Sequence, residues 1–173
     1  MTQQTITEEG AFQRTIRDQV NENFDELYTG FTARPQVARQ SADVTATTNT
    51  TLANLTGLVH TLAVGTYKFR VALQALSTAN GGTKVAFNYT APTSLQCESK
   101  AFTASAVAVT RVTTTTDQAS LVAATVANIC IELEGTIVVA TAGTIQVQGA
   151  QNASHADTTT YYTGSSFSIQ KIA

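Results

Sequence analysis

The sequence predicts an all-β body, an antiparallel sandwich or barrel, preceded by one short N-terminal amphipathic α-helix. Three observations point there. Of 173 residues, 32 are Thr and 15 are Val, side chains that branch at Cβ and suit a pleated strand better than a helix. From Val37 onward, polar and apolar residues alternate between turns rich in Thr, Asn and Gly, the period of half-buried strands. Charge is confined as well: residues 1–30 hold six of the twelve acidic side chains and two of the ten basic ones, and only this stretch has a helical period.

The helix is expected over residues 8–29. Thr7 can cap it, Glu8 and Glu9 sit favourably at its positive end, and Gly30 can end it. Phe12, Ile16, Val20, Phe24, Leu27 and Tyr28 recur at spacings of three and four, which places them on one face. Ile16, Val20, Asn23 and Leu27 also fit a heptad seam with one polar residue, a pattern that fixes register and strand number in a bundle. Pro35 forces Arg34 out of helical geometry. The chain thus divides into a helical attachment or trimerisation segment, 1–35, and a β domain, 36–173.

In the β domain, 66–76 alternates with Tyr67, Phe69, Val71 and Leu73 on one face. Asn80-Gly81-Gly82 reads as a hairpin turn into 83–89, where Val85, Phe87 and Tyr89 share a face. One long alternating run covers 101–116, another covers 129–140, and 144–150 and 166–172 complete the set. Eight or more strands with short connections give two facing sheets or a closed barrel.

Composition narrows the function. A net charge of −2 lacks the cationic surface that neutralises phosphates, so no nucleic acid is expected as partner. No apolar run reaches the roughly 18 residues of a membrane helix, and residues 1–9 lack a secretory pattern, so no membrane insertion is expected and synthesis takes place in a cytoplasm. Cys97 and Cys130 read as two thiols of a reducing compartment.

Chemistry-bearing residues are sparse. His60, within Leu58-Val59-His60-Thr61-Leu62, reads as a strand residue at solvent or at a subunit contact. Glu132 and Glu134 share a strand face at about 6.5 Å, compatible with a glycosidase pair but equally with the wet face of a sheet. His155 and Asp157 share the polar loop 151–160 with Asn152, and Tyr161-Tyr162 follows, one ring turned outward and one inward. These titratable groups form no ligand set and no nucleophile with its base, so no metal, no cofactor and no enzymatic activity are expected.

The run Val20-Asn21-Glu22-Asn23-Phe24-Asp25-Glu26-Leu27-Tyr28 resembles the VNxNFxELY helix near the start of many tailed-bacteriophage fibre and virion-surface proteins. Residues 50–58 with 62–70 resemble the opening hairpin of small phage jelly rolls, and 135–152 with 164–169 are similar to the end of that domain. The resemblance implies an antiparallel jelly-roll sandwich, trimeric like that of tumour necrosis factor, serving as a capsid decoration (head-fibre or cement) protein on the virion surface, made in the host bacterial cytoplasm. Its partners would be two further copies of the chain and the major capsid protein or another virion component. Phe12, Ile16, Val20, Asn23, Phe24, Leu27 and Tyr28 would dock on the capsid or on each other. An alternative within the same resemblance is a tail-fibre or receptor-binding head, recognising a host surface glycan through an apical loop with Asn152, His155, Asp157, Tyr161 and Tyr162.

Overall fold

The computed structural model describes residues 16–24, 34–89, 92–102, 107–112, 119–121 and 127–173. The chain divides into two units, Met1–Arg34 and Pro35–Ala173. In the first, residues 16–24 form helix α1; the rest of the expected helix, with Phe12, Leu27 and Tyr28, lies outside the described residues. Ile16, Val20 and Phe24 are 43%, 43% and 66% exposed, and Asn23 is exposed too.

The second unit is antiparallel β throughout its described residues. Its strands are β1 (Gln36–Arg39), β2 (Val44–Ala46), β3 (Ala53–Leu62), β4 (Gly65–Ser77), β5 (Thr83–Tyr89), β6 (Pro92–Phe102), β7 (Val107–Val112), β8 (Ala119–Leu121), β9 (Ala127–Val139), β10 (Gly143–Ala150), β11 (Thr159–Tyr161) and β12 (Ser166–Lys171). The larger sheet runs β1-β12-β4-β9-β6-β7, with β11 beside β4 and β2 beside β11; the smaller runs β3-β10-β5-β8. The pairing is nested about the β6–β7 hairpin: β6 pairs β7, β5 pairs β8, β4 pairs β9, β3 pairs β10, β2 pairs β11 and β1 pairs β12. Among the described residues each of these pairs joins a strand of the first half of the body to one of the second half, and both halves contribute strands to both sheets.

Side-chain alternation decides what lies between those layers. Along β4, Tyr67, Phe69, Val71, Leu73 and Ala75 are buried while Lys68, Arg70 and Gln74 are exposed. Phe69 meets Phe87 of the other sheet edge to face at 5.2 Å, and Phe167 stands 4.7 Å from His60 and 6.1 Å from Phe87. Each such ring contributes about 1.5 to 3 kcal/mol by leaving water, so this aromatic cluster is the centre of the fold.

Two sequence expectations change. Asn80-Gly81-Gly82 is a turn, but not of a hairpin. Both sides of β4 are already occupied, by β9 and by β12 with β11, so β5 crosses to the smaller sheet and pairs β10 and β8. The run 101–116 is not one strand either: Phe102 ends β6 and Val107 opens β7, which folds back on it.

The register also fixes the two ends of the body. Pro35 precedes Gln36, which lies opposite Ile169, and Gly65 lies opposite Val139. Pro35, the β3–β4 and β9–β10 turns and the C-terminus therefore share one end. The opposite end carries the segments after Ser77 and Ala150, together with 162–165.

Candidate functional site

At the end away from Pro35, three loops meet: 47–51, 78–82 and 151–158. Their organiser is Gln151, whose side chain is fully buried. Its Oε1 accepts from the backbone N–H of Asn49 at 3.2 Å and of His155 at 3.4 Å. Its Nε2 donates to the carbonyls of His155, at 3.2 Å, and of Asp157. One carboxamide thus satisfies four backbone groups that lie in two loops. The third loop is fastened by Ala153 N–H to the Gly81 carbonyl at 2.9 Å and by Thr159 Oγ1 to the Gly82 carbonyl at 2.8 Å. Thr48 is held at φ +53°, an uncommon conformation for a β-branched residue. Its N–H donates to the His155 carbonyl at 2.9 Å, and its own carbonyl accepts from Ser154 Oγ at 3.0 Å.

On this frame His155 Nδ1 lies 3.1 Å from Asp157 Oδ2 and 3.1 Å from the Asp157 backbone N–H. The ring nitrogen can accept that N–H or donate to the carboxylate, according to its tautomer. Asn80 Nδ2 donates to the same Oδ2 at 3.4 Å. His155 and Asp157 are each more than a third exposed, at 39% and 35%, and Asn152 is half-buried.

Tyr161 leaves this set. Its ring is fully buried because it stands inside the sandwich. Its O–H donates to the carbonyls of Lys84 at 2.7 Å and Ala150 at 2.9 Å, and accepts from Ala150 N–H at 3.2 Å. Burial pushes this phenol above its ordinary value. Tyr162 is the outward member of the pair, half-buried, with its N–H on the Gln74 carbonyl. Sequence reasoning missed Gln151, Thr48 and Asn80. Asn80 was legible only as a turn residue, and nothing in a polar loop marks one glutamine as buried.

The remaining candidates lie elsewhere. His60 is not at solvent. It is 8% exposed between the sheets, its Nε2 2.8 Å from the Phe167 carbonyl, and burial lowers its pKa against that hydrogen bond. Its neighbours Leu58 and Leu62 face the core with it, so β3 carries the imidazole inward. Glu132 and Glu134 lie on the outer face of the larger sheet, Glu132 with Arg70 at 2.7 Å and Glu134 with Lys68 at 3.2 Å. A shallow pocket there is lined by Pro35, Lys68, Arg70, Glu134 and Ser168, so its cations already have carboxylate partners. Cys97 faces the core opposite Gly135, while Cys130 lies five residues along β9 on the other face, opposite Phe102, and the two do not bridge. Among the described residues, no three His, Cys, Asp or Glu side chains converge as metal ligands, and no helix is long and apolar enough to cross a membrane.

No protein-family model matches the chain, and none of the curated proteins does. Among solved structures, a chain in the structure of infectious bursal disease virus Gx strain aligns with a TM-score of 0.22 and 11% identity. The alignment covers 81% of this chain and 37% of that one. A likeness of that degree assigns neither fold nor function.

Proposed function

We propose that this protein is a non-enzymatic structural component of a virion surface: a homotrimeric capsid decoration protein that attaches through its N-terminal segment and projects a jelly roll. The observation that supports the reading is the nested strand order, β1-β12-β4-β9-β6-β7 in one sheet and β3-β10-β5-β8 in the other, which is compatible with a hairpin rolled into a jelly roll, together with a helix whose apolar residues are exposed. A helix presenting Ile16, Val20 and Phe24 to water gains stability only when something covers them. Two further copies of α1, or a cleft in a shell protein, would serve. The polar loops lie at the end of the body away from Pro35, the arrangement a projecting domain needs.

Localisation on the virion and the trimer are tested together. Light scattering on the purified chain should give about three times 18.2 kDa, and electron microscopy of virions carrying a label on this protein should place it on the head. A monodisperse monomer, or a label absent from particles, would reject the proposal.

A further inference from the structure

Two hydroxyls inside the sandwich stand without a partner where the chain crosses between the sheets. Among the described residues, Gln40 Oε1, Ser77 Oγ and Thr83 Oγ1 are buried side-chain atoms that form no hydrogen bond. Gln40 is still anchored by its amide end, which donates to the Ala42 and Tyr161 carbonyls. Ser77 and Thr83 are fully buried and have no polar side-chain atom besides the hydroxyl. Leaving such a group unpaired in the interior is costly.

The strand order brings these two hydroxyls together. Ser77 ends β4 and Thr83 opens β5, each at an inward position of its strand's alternation. The crossing between them is drawn tight by the Gly82 N–H on the Thr78 carbonyl at 3.0 Å and the Gly81 N–H on Thr78 Oγ1 at 3.0 Å. A third hydroxyl comes from β11, which pairs β4 with Thr160 opposite Leu76 and Tyr161 opposite Ala75. One residue further along that register Thr159 stands beside Ser77, at the separation of about 5 Å usual for Cβ atoms of a cross-strand pair. Thr159 Oγ1 gives its proton to the carbonyl of Gly82, the neighbour of Thr83, at 2.8 Å, so its oxygen remains able to accept.

We propose that Ser77, Thr83 and Thr159 form an internal binding site for a single water molecule, held as a structural ligand of the β4–β5 crossing. The water oxygen accepts from the Ser77 and Thr83 hydroxyls, and one water proton goes to Thr159 Oγ1. That makes about three hydrogen bonds, the usual number for an interior water. Residues 77–83 and 159 carry no charged side chain, so an anion would find no counter-charge there. Hydroxyls without a carboxylate make an equally poor cation site. Because β4 and β5 leave the crossing for different sheets, a ligand bonded to both fastens one layer to the other.

The test uses the isolated full-length chain, so its result is independent of where the protein resides. Oxygen-17 relaxation dispersion of the solvent counts the waters retained for longer than the protein takes to tumble. Ser77→Ala combined with Thr83→Val should lower that count by one, whereas Thr83→Ser, which keeps the hydroxyl, should leave it unchanged. In urea, Ser77→Ala and Thr83→Val should each lower the unfolding midpoint. The double variant should lower it by less than the sum, because the water is lost with its first partner. Hydroxyls that stay unsatisfied in the fold would do the reverse, since removing them relieves a buried polar group and raises the midpoint. The inference is overturned if the double variant retains as many waters as the parent, or if either single substitution raises the midpoint.

Discussion

The ring of Tyr161 occupies the space in which a β-carbon on Gly149 would stand, 2.6 Å from Cζ. Gly149 faces the interior on β10 and Tyr161 comes from β11 of the other sheet. The missing side chain is therefore the slot through which the phenol reaches the Lys84 and Ala150 carbonyls. This contact ties the two layers beneath the distal loops.

Gly149→Ala should destabilise the body by about 1 to 3 kcal/mol through overpacking, and Tyr161→Phe by about 1 to 3 kcal/mol because buried backbone groups lose their partner. Denaturant midpoints at unchanged slope would measure both. Because the raised phenol pKa favours the neutral form in the fold, stability from this group is complete below about pH 10 and declines above it. Tyr161→Phe should flatten the alkaline limb, and an alkaline limb identical in both proteins would remove this assignment.

His60 gives the opposite edge. Its folded pKa lies below 6.5 because burial opposes the imidazolium. As the pH falls below about 6.5 the unfolded chain takes up the proton first, so this residue's share of stability is present above that value and is lost beneath it. His60→Gln retains an N–H donor for the Phe167 carbonyl and should reduce the fall in urea midpoint between pH 7 and pH 5. Parallel curves for the two proteins would show that some other group sets the acid limb.

How far the fold was legible depended on how each strand presents its inward face. β4 and β5 alternate large apolar with polar residues, and the sequence marks both. β6 turns Leu95, Cys97, Ser99 and Ala101 inward, and the last three are small or polar, so their alternation with Gln96, Glu98 and Lys100 carries little contrast. In β3, Leu55 and Leu58 are both buried at a spacing of three, because the register shifts opposite Gln146 and Gln148 and Gly57 takes φ +91° against the Arg39 carbonyl. A β-bulge of this kind breaks the period that a strand reading relies on. The distal site was half legible: His155 and Asp157 stand out as titratable neighbours, whereas Gln151 acts through burial, which only the packing of three loops creates.

Gln151→Ala should test that organising role. Four backbone groups would lose their partner, so amides of 49, 155 and their neighbours should exchange with solvent faster, by about tenfold for each 1.4 kcal/mol of lost local stability. Amides of β4 and β9 should keep their protection, since neither strand bonds to Gln151. Uniform loss of protection would mean that the residue supports the whole sandwich rather than its loops.

Attachment and folding should separate at α1. Ile16 and Phe24 are 43% and 66% exposed, so replacing both by Asp in the full-length chain removes little buried surface, and surface substitutions of this kind usually stay within about 0.5 kcal/mol. The melting temperature of the β body should therefore hold. If α1 is covered on assembly, each replacement instead places a carboxylate where an apolar side chain would be buried, which costs far more than the lost contact unless a cation pairs with it. Ile16→Asp with Phe24→Asp should then abolish binding to particles that lack the native protein, while light scattering on the same variant reports whether the copies still associate. Loss of both would make the helix the trimerising element, and loss of particle binding alone would make it the docking element. Wild-type occupancy on particles together with an intact trimer would place both interfaces on the β body.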